Sequence, residues 1–202
     1  MYIARILYPV KVLGPGNRVG IWFDGCDHHC IGCSNPELWE IDEKYKTDIK
    51  QVMRLIGSIK AQYEIDGFTL TGGDPMKQPS ALRVLLPELV KITDDILIYT
   101  GFDYEDLKHN YADILKQIAV LIDGKYVEEL NEEELLKGSS NQRIIILKEA
   151  YGDKYHDYMA THVSEIQNFT TPTGTISVGI HRPGYELELE RKLKEKGLRK
   201  NE

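Results

Sequence analysis

Short apolar, β-branched runs alternate with helical windows along most of this chain, and that alternation limits the folds open to it. The runs are Val19–Phe23, Gly67–Thr71, Ile96–Thr100, Ala119–Asp123, Arg143–Lys148 and Thr175–His181. Their continuous apolar character suits strands covered on both faces, as in a parallel sheet. Between them, Asp48–Tyr63 carries Ile49, Val52, Met53, Ile56 and Ile59 at near-helical spacing. Ser80–Ile92 carries Leu82, Leu85, Leu86, Leu89 and Val90, with Ser80 placed as an N-cap after Pro79. Tyr104–Gln117 reads as two short helices, and Tyr185–Lys196 as a charged amphipathic helix. Strand alternating with helix predicts an α/β domain with parallel strands and right-handed crossovers. Chemistry in such folds gathers at the C-terminal ends of the strands, so a functional motif should directly follow a strand.

The cysteines meet that condition. All three, Cys26, Cys30 and Cys33, lie in Phe23-Asp-Gly-Cys26-Asp-His-His-Cys30-Ile-Gly-Cys33-Ser-Asn35, just after the first run. An odd number so closely spaced is poor material for disulfides, and in a reducing compartment such a set binds metal or does redox chemistry. Thiolates at C-x3-C-x2-C spacing suit an iron–sulfur cluster or zinc. Three thiolates leave one iron of a cubane cluster open, and an open metal position is where a substrate binds. Structural zinc with His28 or His29 as fourth ligand is a competing reading, though a cramped one, and inert buried cysteines are a third. Both histidines otherwise read as loop residues near the cluster.

Composition narrows the class. With 202 residues, 42% hydrophobic and 28% charged, the chain is expected to form a single soluble domain with its own core. A net charge of −7 argues against a nucleic-acid partner. No apolar window approaches the roughly 18 residues of a membrane span, and Met1–Pro9 does not pattern as a signal peptide. The expected location is cytoplasmic, with no membrane partner. Glu128, Glu129, Glu132, Glu133 and Glu134 are expected on a solvated helix face.

The cysteine loop resembles that of the radical S-adenosylmethionine (SAM) enzymes. The next strand ends Thr69-Leu-Thr-Gly72-Gly73-Asp74-Pro75, which resembles their GGE motif in a GGDP form. More specific is an ordered set: Gly14-Pro-Gly16 through Cys33 and Asn35, Tyr99-Thr-Gly-Phe102, Val120-Leu-Ile-Asp-Gly-Lys-Tyr126 and Gly138-Ser-Ser-Asn-Gln142. Over residues 5–147 the chain is similar to the activating proteins of anaerobic ribonucleoside-triphosphate reductases, a family of glycyl-radical enzyme activators.

The resemblance implies an incomplete TIM-like (βα)6 radical SAM barrel, open on one side. It would be one domain over residues 1–202, with a core at 1–147 and a C-terminal βα extension at 148–202. It implies a 4Fe–4S cluster held by Cys26, Cys30 and Cys33, SAM on the open iron, and hydrogen abstraction from a glycine of the reductase. A flavodoxin-type protein would donate the electron. An activator of another glycyl-radical enzyme, of the formate-lyase type, is the nearest alternative; a non-catalytic iron–sulfur or zinc protein is a more distant one. Gly32, Cys33, Ser34, Asn35, Gly72, Gly73, Asp74, Thr100, Asp123 and Lys125 are the expected cofactor-binding residues. Gly72 and Gly73 would let the backbone approach the ligand, having no Cβ. Asp74 would add charge near the SAM ammonium or cap the next segment. Lys125 would pair with the SAM carboxylate, and Asp123 would orient it. Ser139–Gln142 precede a strand and are expected at the opposite end of the sheet, or as a turn whose side chains satisfy loop backbone. The chain departs from the family at Ser34, where many relatives carry an aromatic residue, and in running on for about 55 residues after Leu147. That stretch is expected to add a βα unit to the barrel; His181 and Arg182, at the end of its strand, are expected on the surface, with reach into the site as the alternative.

Overall fold

The computed structural model describes residues 1–171 and 174–195, leaving out the side chain of Glu186. A six-stranded sheet runs in chain order: β1 (Ile3–Val10), β2 (Arg18–Phe23), β3 (Gly67–Gly72), β4 (Ile96–Tyr99), β5 (Val120–Asp123) and β6 (Arg143–Ile146). The four strands β2 to β5 are parallel. The two edges are not: β1 pairs antiparallel with β2, and β6 antiparallel with β5. The expectation of parallel strands throughout is thereby corrected at Arg143–Lys148. A connection of 19 residues (124–142) without a crossover helix brings the chain straight back beside β5, and an antiparallel return needs no crossover. β1 has no counterpart in the sequence reading; it is an edge strand with bulged pairing and a half-buried pattern.

Helices cover one face. α1 (Ile49–Lys60) is capped by Asp48, whose side chain accepts from the Gln51 N–H at 2.9 Å. α2 (Pro79–Val90) starts one residue earlier than expected, with Pro79 at N1 and Gln78, not Ser80, at the cap position. The two short helices expected next are α3 (Tyr104–Asn110) and α4 (Ala112–Leu115). Val52, Ile56, Leu82, Leu85, Leu86, Leu89, Leu107 and Ile114 bury against Val19, Ile21, Phe23, Phe68, Leu70 and Ile98 of the strands. The opposite face carries Leu97, Val120 and Ile122, packed on Tyr155 and Tyr158 of α5 (Gly152–Thr161). The sheet is therefore covered on both sides, as its continuous apolar runs require.

The C-terminal stretch does not extend the main sheet. Thr175–His181 falls on β8 (Gly174–Val178), which pairs antiparallel with β7 (Gln167–Thr171) in a separate two-stranded sheet. Its strand thus takes a hairpin partner from its own segment, and Val178 buries with Val10, Leu13, Trp22 and Leu38. α6 (Tyr185–Glu195) follows; Lys196, the expected last residue, lies outside the described residues. The acidic run forms no helix face: only Glu128–Leu130 makes one 3-10 turn, and Asn131 Oδ1 accepts from the Glu133 N–H at 3.1 Å in an Asx-type turn. Among the described residues no helix is long and apolar enough to cross a membrane.

Candidate functional site

Register sets the site. Phe23 of β2 pairs with Gly72 of β3, Leu70 with Ile98, and Tyr99 with Ile122. The cysteine loop, Gly72-Gly73-Asp74, Thr100-Gly101 and Gly124 consequently emerge at one end of the sheet, beyond the C-terminal ends of the parallel strands. There Cys26, Cys30, Cys33, Gly73, Asp74 and Thr100 line one cavity. Ser34 and Asn35 line it as well.

Asp74 organises this end. Its buried carboxylate accepts from the Met76 N–H at 2.8 Å, capping the turn Pro75–Lys77. It also accepts from Thr100 Oγ1 at 2.9 Å and from the Gly101 N–H at 2.9 Å. His28 Nε2 lies 2.9 Å from Asp74 Oδ2, and its ring meets Phe102 edge-on at 4.7 Å. One carboxylate thereby ties the cysteine loop, the GGDP loop and the end of β4 together. Of the two roles expected for Asp74, capping is the one the structure displays. His28 was legible only as a loop residue, because its partner is 46 positions away.

The glycines face protein backbone. A Cβ on Gly73 would stand 2.5 Å from the Gly25 carbonyl oxygen and 2.7 Å from that of Leu38. Gly72, at φ +110°, would meet the Phe23 carbonyl oxygen at 2.4 Å. Close approach is required at both positions, and the approaching group is the cysteine loop and strand β2. Gly32, at φ +71°, stands outside the cavity lining, where a Cβ would meet Glu128 Oε1 at 2.7 Å.

Burial pushes the Cys26 thiol up to about 11. The Cys30 thiol is raised too, chiefly by burial; the Tyr126 N–H and the Lys125 charge act the other way. Backbone N–H groups point at sulfur: His28 N–H to Cys26 Sγ at 3.5 Å, Asn35 N–H to Cys33 Sγ at 3.4 Å. Asn35 Oδ1 accepts from Arg5 at 3.1 Å, so its side chain does not cap the turn it precedes. His29 stacks on Trp39 at 4.8 Å.

Asp123 and Lys125 stand apart from the cavity lining. Asp123 is buried, accepts from the Tyr104 N–H at 2.7 Å and pairs with Arg143. Lys125 is exposed. Ser139–Gln142 are at the site's end of the sheet, not the opposite one, because β6 runs antiparallel. They satisfy loop backbone. Gln142 Oε1 accepts from the Gly138 and Ser139 N–H groups at 2.8 and 3.2 Å, and its Nε2 donates to the Gly124 carbonyl at 2.8 Å. Gln142 and His181 line the cavity. His181, expected on the surface, is brought there by the hairpin; Arg182 stays exposed and pairs with Glu188. Gln142 and Tyr126 each end a motif of the ordered set that carries the resemblance, but no individual role was expected of either, and the structure places both in the cavity lining.

Residues 12–145 match a family described as a 4Fe-4S single cluster domain. The chain is 37% identical over 143 residues to the anaerobic ribonucleoside-triphosphate reductase-activating protein of Enterobacteria phage T4, covering 68% of this chain and 90% of that relative. Proteins of the same name from Haemophilus influenzae and Pasteurella multocida are 33% and 34% identical, each over 68% of this chain and over 93% and 92% of their own length.

Proposed function

We propose, from the premise that this chain belongs to the 4Fe-4S single cluster domain family and to the anaerobic ribonucleoside-triphosphate reductase-activating proteins, that it is a SAM-cleaving activase that installs a glycyl radical on such a reductase. The observation that carries the reading is the gathering of three cysteine thiols, Gly73, Asp74 and Thr100 around one cavity at the ends of parallel strands. The donor set suits a four-iron cluster. Three thiols come from one loop, and N–H groups reach two of the sulfurs, the kind of contact that tunes cluster potential. Among the described residues no three His, Cys, Asp or Glu side chains gather as a single-ion site. A cluster does not ask for that, since each thiolate holds a different iron.

When bound, the reduced cluster and SAM supply, by one-electron cleavage of the sulfonium carbon–sulfur bond, a carbon radical able to take a hydrogen atom from a glycine of the partner. The chain's own residues do the rest. Cys26, Cys30 and Cys33 would hold three irons of the cluster and leave the fourth open for SAM. Asp74, through His28 and Thr100, fixes the cysteine loop against the loop that carries SAM. Ser34 and Asn35 shape the floor of the cavity beside Cys33. Asp123 orders the start of α3 and Arg143, and Lys125 favours the Cys30 thiolate; both do so from outside the cavity lining. The six-stranded sheet, parallel from β2 to β5 with β1 and β6 as antiparallel edges, would serve as the incomplete barrel of this reading. A flavodoxin-type protein supplies the electron.

The test is electron paramagnetic resonance on reduced protein, SAM and an anaerobic ribonucleotide reductase, with Cys33→Ala as control. A glycyl-radical doublet on the reductase is expected, absent with the variant. A doublet on a different glycyl-radical enzyme only would keep the chemistry and overturn the partner; no SAM cleavage at all would overturn the reading.

A further inference from the structure

Part of the cavity's lining comes from outside the matched family residues. Ser177, Val178, Gly179, Ile180 and His181 line the same cavity as Cys26, Cys30 and Cys33, yet the family match ends at residue 145. The relatives leave no more than a tenth of their own length unmatched, too little to hold α5, the hairpin and α6.

This wall is docked at both sides of the sheet. At the β1 edge, Gln167 Oε1 accepts from the Lys11 N–H at 2.9 Å, and Gln167 Nε2 donates to the Pro9 carbonyl at 2.7 Å. Toward the other edge, Asn131 Nδ2, in the β5–β6 connection, donates to the His181 carbonyl at 2.8 Å. Between these anchors Val178 is buried with Val10, Leu13, Trp22 and Leu38, and Phe169, Ile176 and Ile180 pack against them. The hairpin thus bridges from the β1 edge to the β5–β6 connection, and its residues 177–181 line the cavity. Gly179 adjoins the Glu165 carbonyl so closely that a Cβ would stand 2.4 Å from it, which holds the turn out of β8 in place.

We propose that the β7–β8 hairpin is a ligand-binding wall added outside the matched family region. It presents Ser177–Ile180 to the adenosyl ligand, and holds that ligand and excludes water before the protein partner arrives. The inference rests on the reading of SAM as the ligand. A ligand in a cleft gains from apolar enclosure with a few polar contacts, and shielding a reactive centre from water limits side reactions. Without the hairpin, that enclosure would have to come from the docked reductase.

The experiment uses the full-length, anaerobically reconstituted protein without reductase. SAM affinity is measured by equilibrium binding and hydrogen exchange is followed at residues 174–181, for the wild type, Asn131→Ala/Gln167→Ala and Ile180→Ser. Iron content serves as the control for cluster assembly. The double variant removes the anchors; Ile180→Ser changes the wall and leaves the anchors in place. The expected result is that SAM slows exchange at 174–181 in the wild type, and that affinity falls about tenfold in at least one variant of unchanged iron content. No protection by SAM, or wild-type affinity in both variants, overturns the hairpin's role. A wild-type protein that binds no SAM overturns the functional reading beneath it instead.

Discussion

Gly73 shows how a residue can be identified correctly and for another reason. Its motif resemblance suggested a bare backbone for a ligand to approach. In the fold, the carbonyls of Gly25 and Leu38 occupy the space a side chain would need. Gly73→Val is therefore expected to destabilise the cluster-free, SAM-free protein by about 1–3 kcal/mol, through forced separation of the two loops. Thermal unfolding of the apoprotein measures it. A variant as stable as wild type that has lost SAM affinity would return Gly73 to a purely ligand-facing role. Asp74 follows the same pattern: Met76, Thr100, Gly101 and His28 already occupy its two oxygens. Cysteine identity and spacing are legible locally because metal chemistry dictates both. The capped Met76 N–H next to Asp74 was legible in the same way; His28, Thr100 and Gly101 were not, because they come from two other loops.

At the scale of elements, the reversal of β6 moves Ser139–Gln142 to the functional end of the sheet. The Gln142 side chain bonds the Gly138 and Ser139 N–H groups and the Gly124 carbonyl of the connection that includes Tyr126, whose N–H favours the Cys30 thiolate. Gln142→Ala is expected to cost about 1–3 kcal/mol by leaving those groups unpaired, and to speed protease cleavage within residues 124–142. Denaturant unfolding and the cleavage map check both. Unchanged cleavage would show that the connection is held by Ser139 and Asn141 without it. The strands β2 to β5 were legible because burial on both faces makes them continuously apolar. β1 was not: as a half-buried edge it lacks that run, and Pro9 interrupts it.

For the whole molecule, the end of the sheet away from the cavity is joined by one buried charge network. Arg18 is fully buried and donates to Asp95 at 3.2 Å, to Thr69 Oγ1 at 2.7 Å and to the Phe68 carbonyl at 2.6 Å. Tyr155 and Lys154 of α5 donate to the same carboxylate at 2.7 and 2.6 Å. Gly14 and Gly67 leave room for the guanidinium; a Cβ on Gly67 would stand 2.3 Å from it. The Gly14-Pro15-Gly16 motif thus belongs to this network and not to the cavity. Burial works to raise the Asp95 carboxyl, but the Arg18 charge and the bonds from Lys154, Arg18 and Tyr155 outweigh it and hold it below its usual value. A depressed folded-state value stabilises the fold above the unfolded value and loses that contribution as pH falls through the folded one. Stability is expected to drop below about pH 4 in the wild type. Asp95→Asn is expected to start about 3–5 kcal/mol lower at neutral pH, since a buried arginine loses its counter-charge, and to show a shallower acid limb. Urea titrations across pH measure both; identical acid limbs would remove Asp95 from the network's acid response.

The sequence by itself determined the cluster loop, the alternation of strand and helix, and the end of the sheet where the motifs emerge. Each of these depends on residues close together in the chain: thiolate spacing, apolar runs, a glycine pair after a strand. Tertiary structure decided the direction of β6, the pairing of β7 with β8 and the second roles of Gly73, Asp74 and Asp123. A strand's side-chain pattern is the same whichever way its neighbour runs, and a carboxylate's partners are chosen by what packing brings beside it.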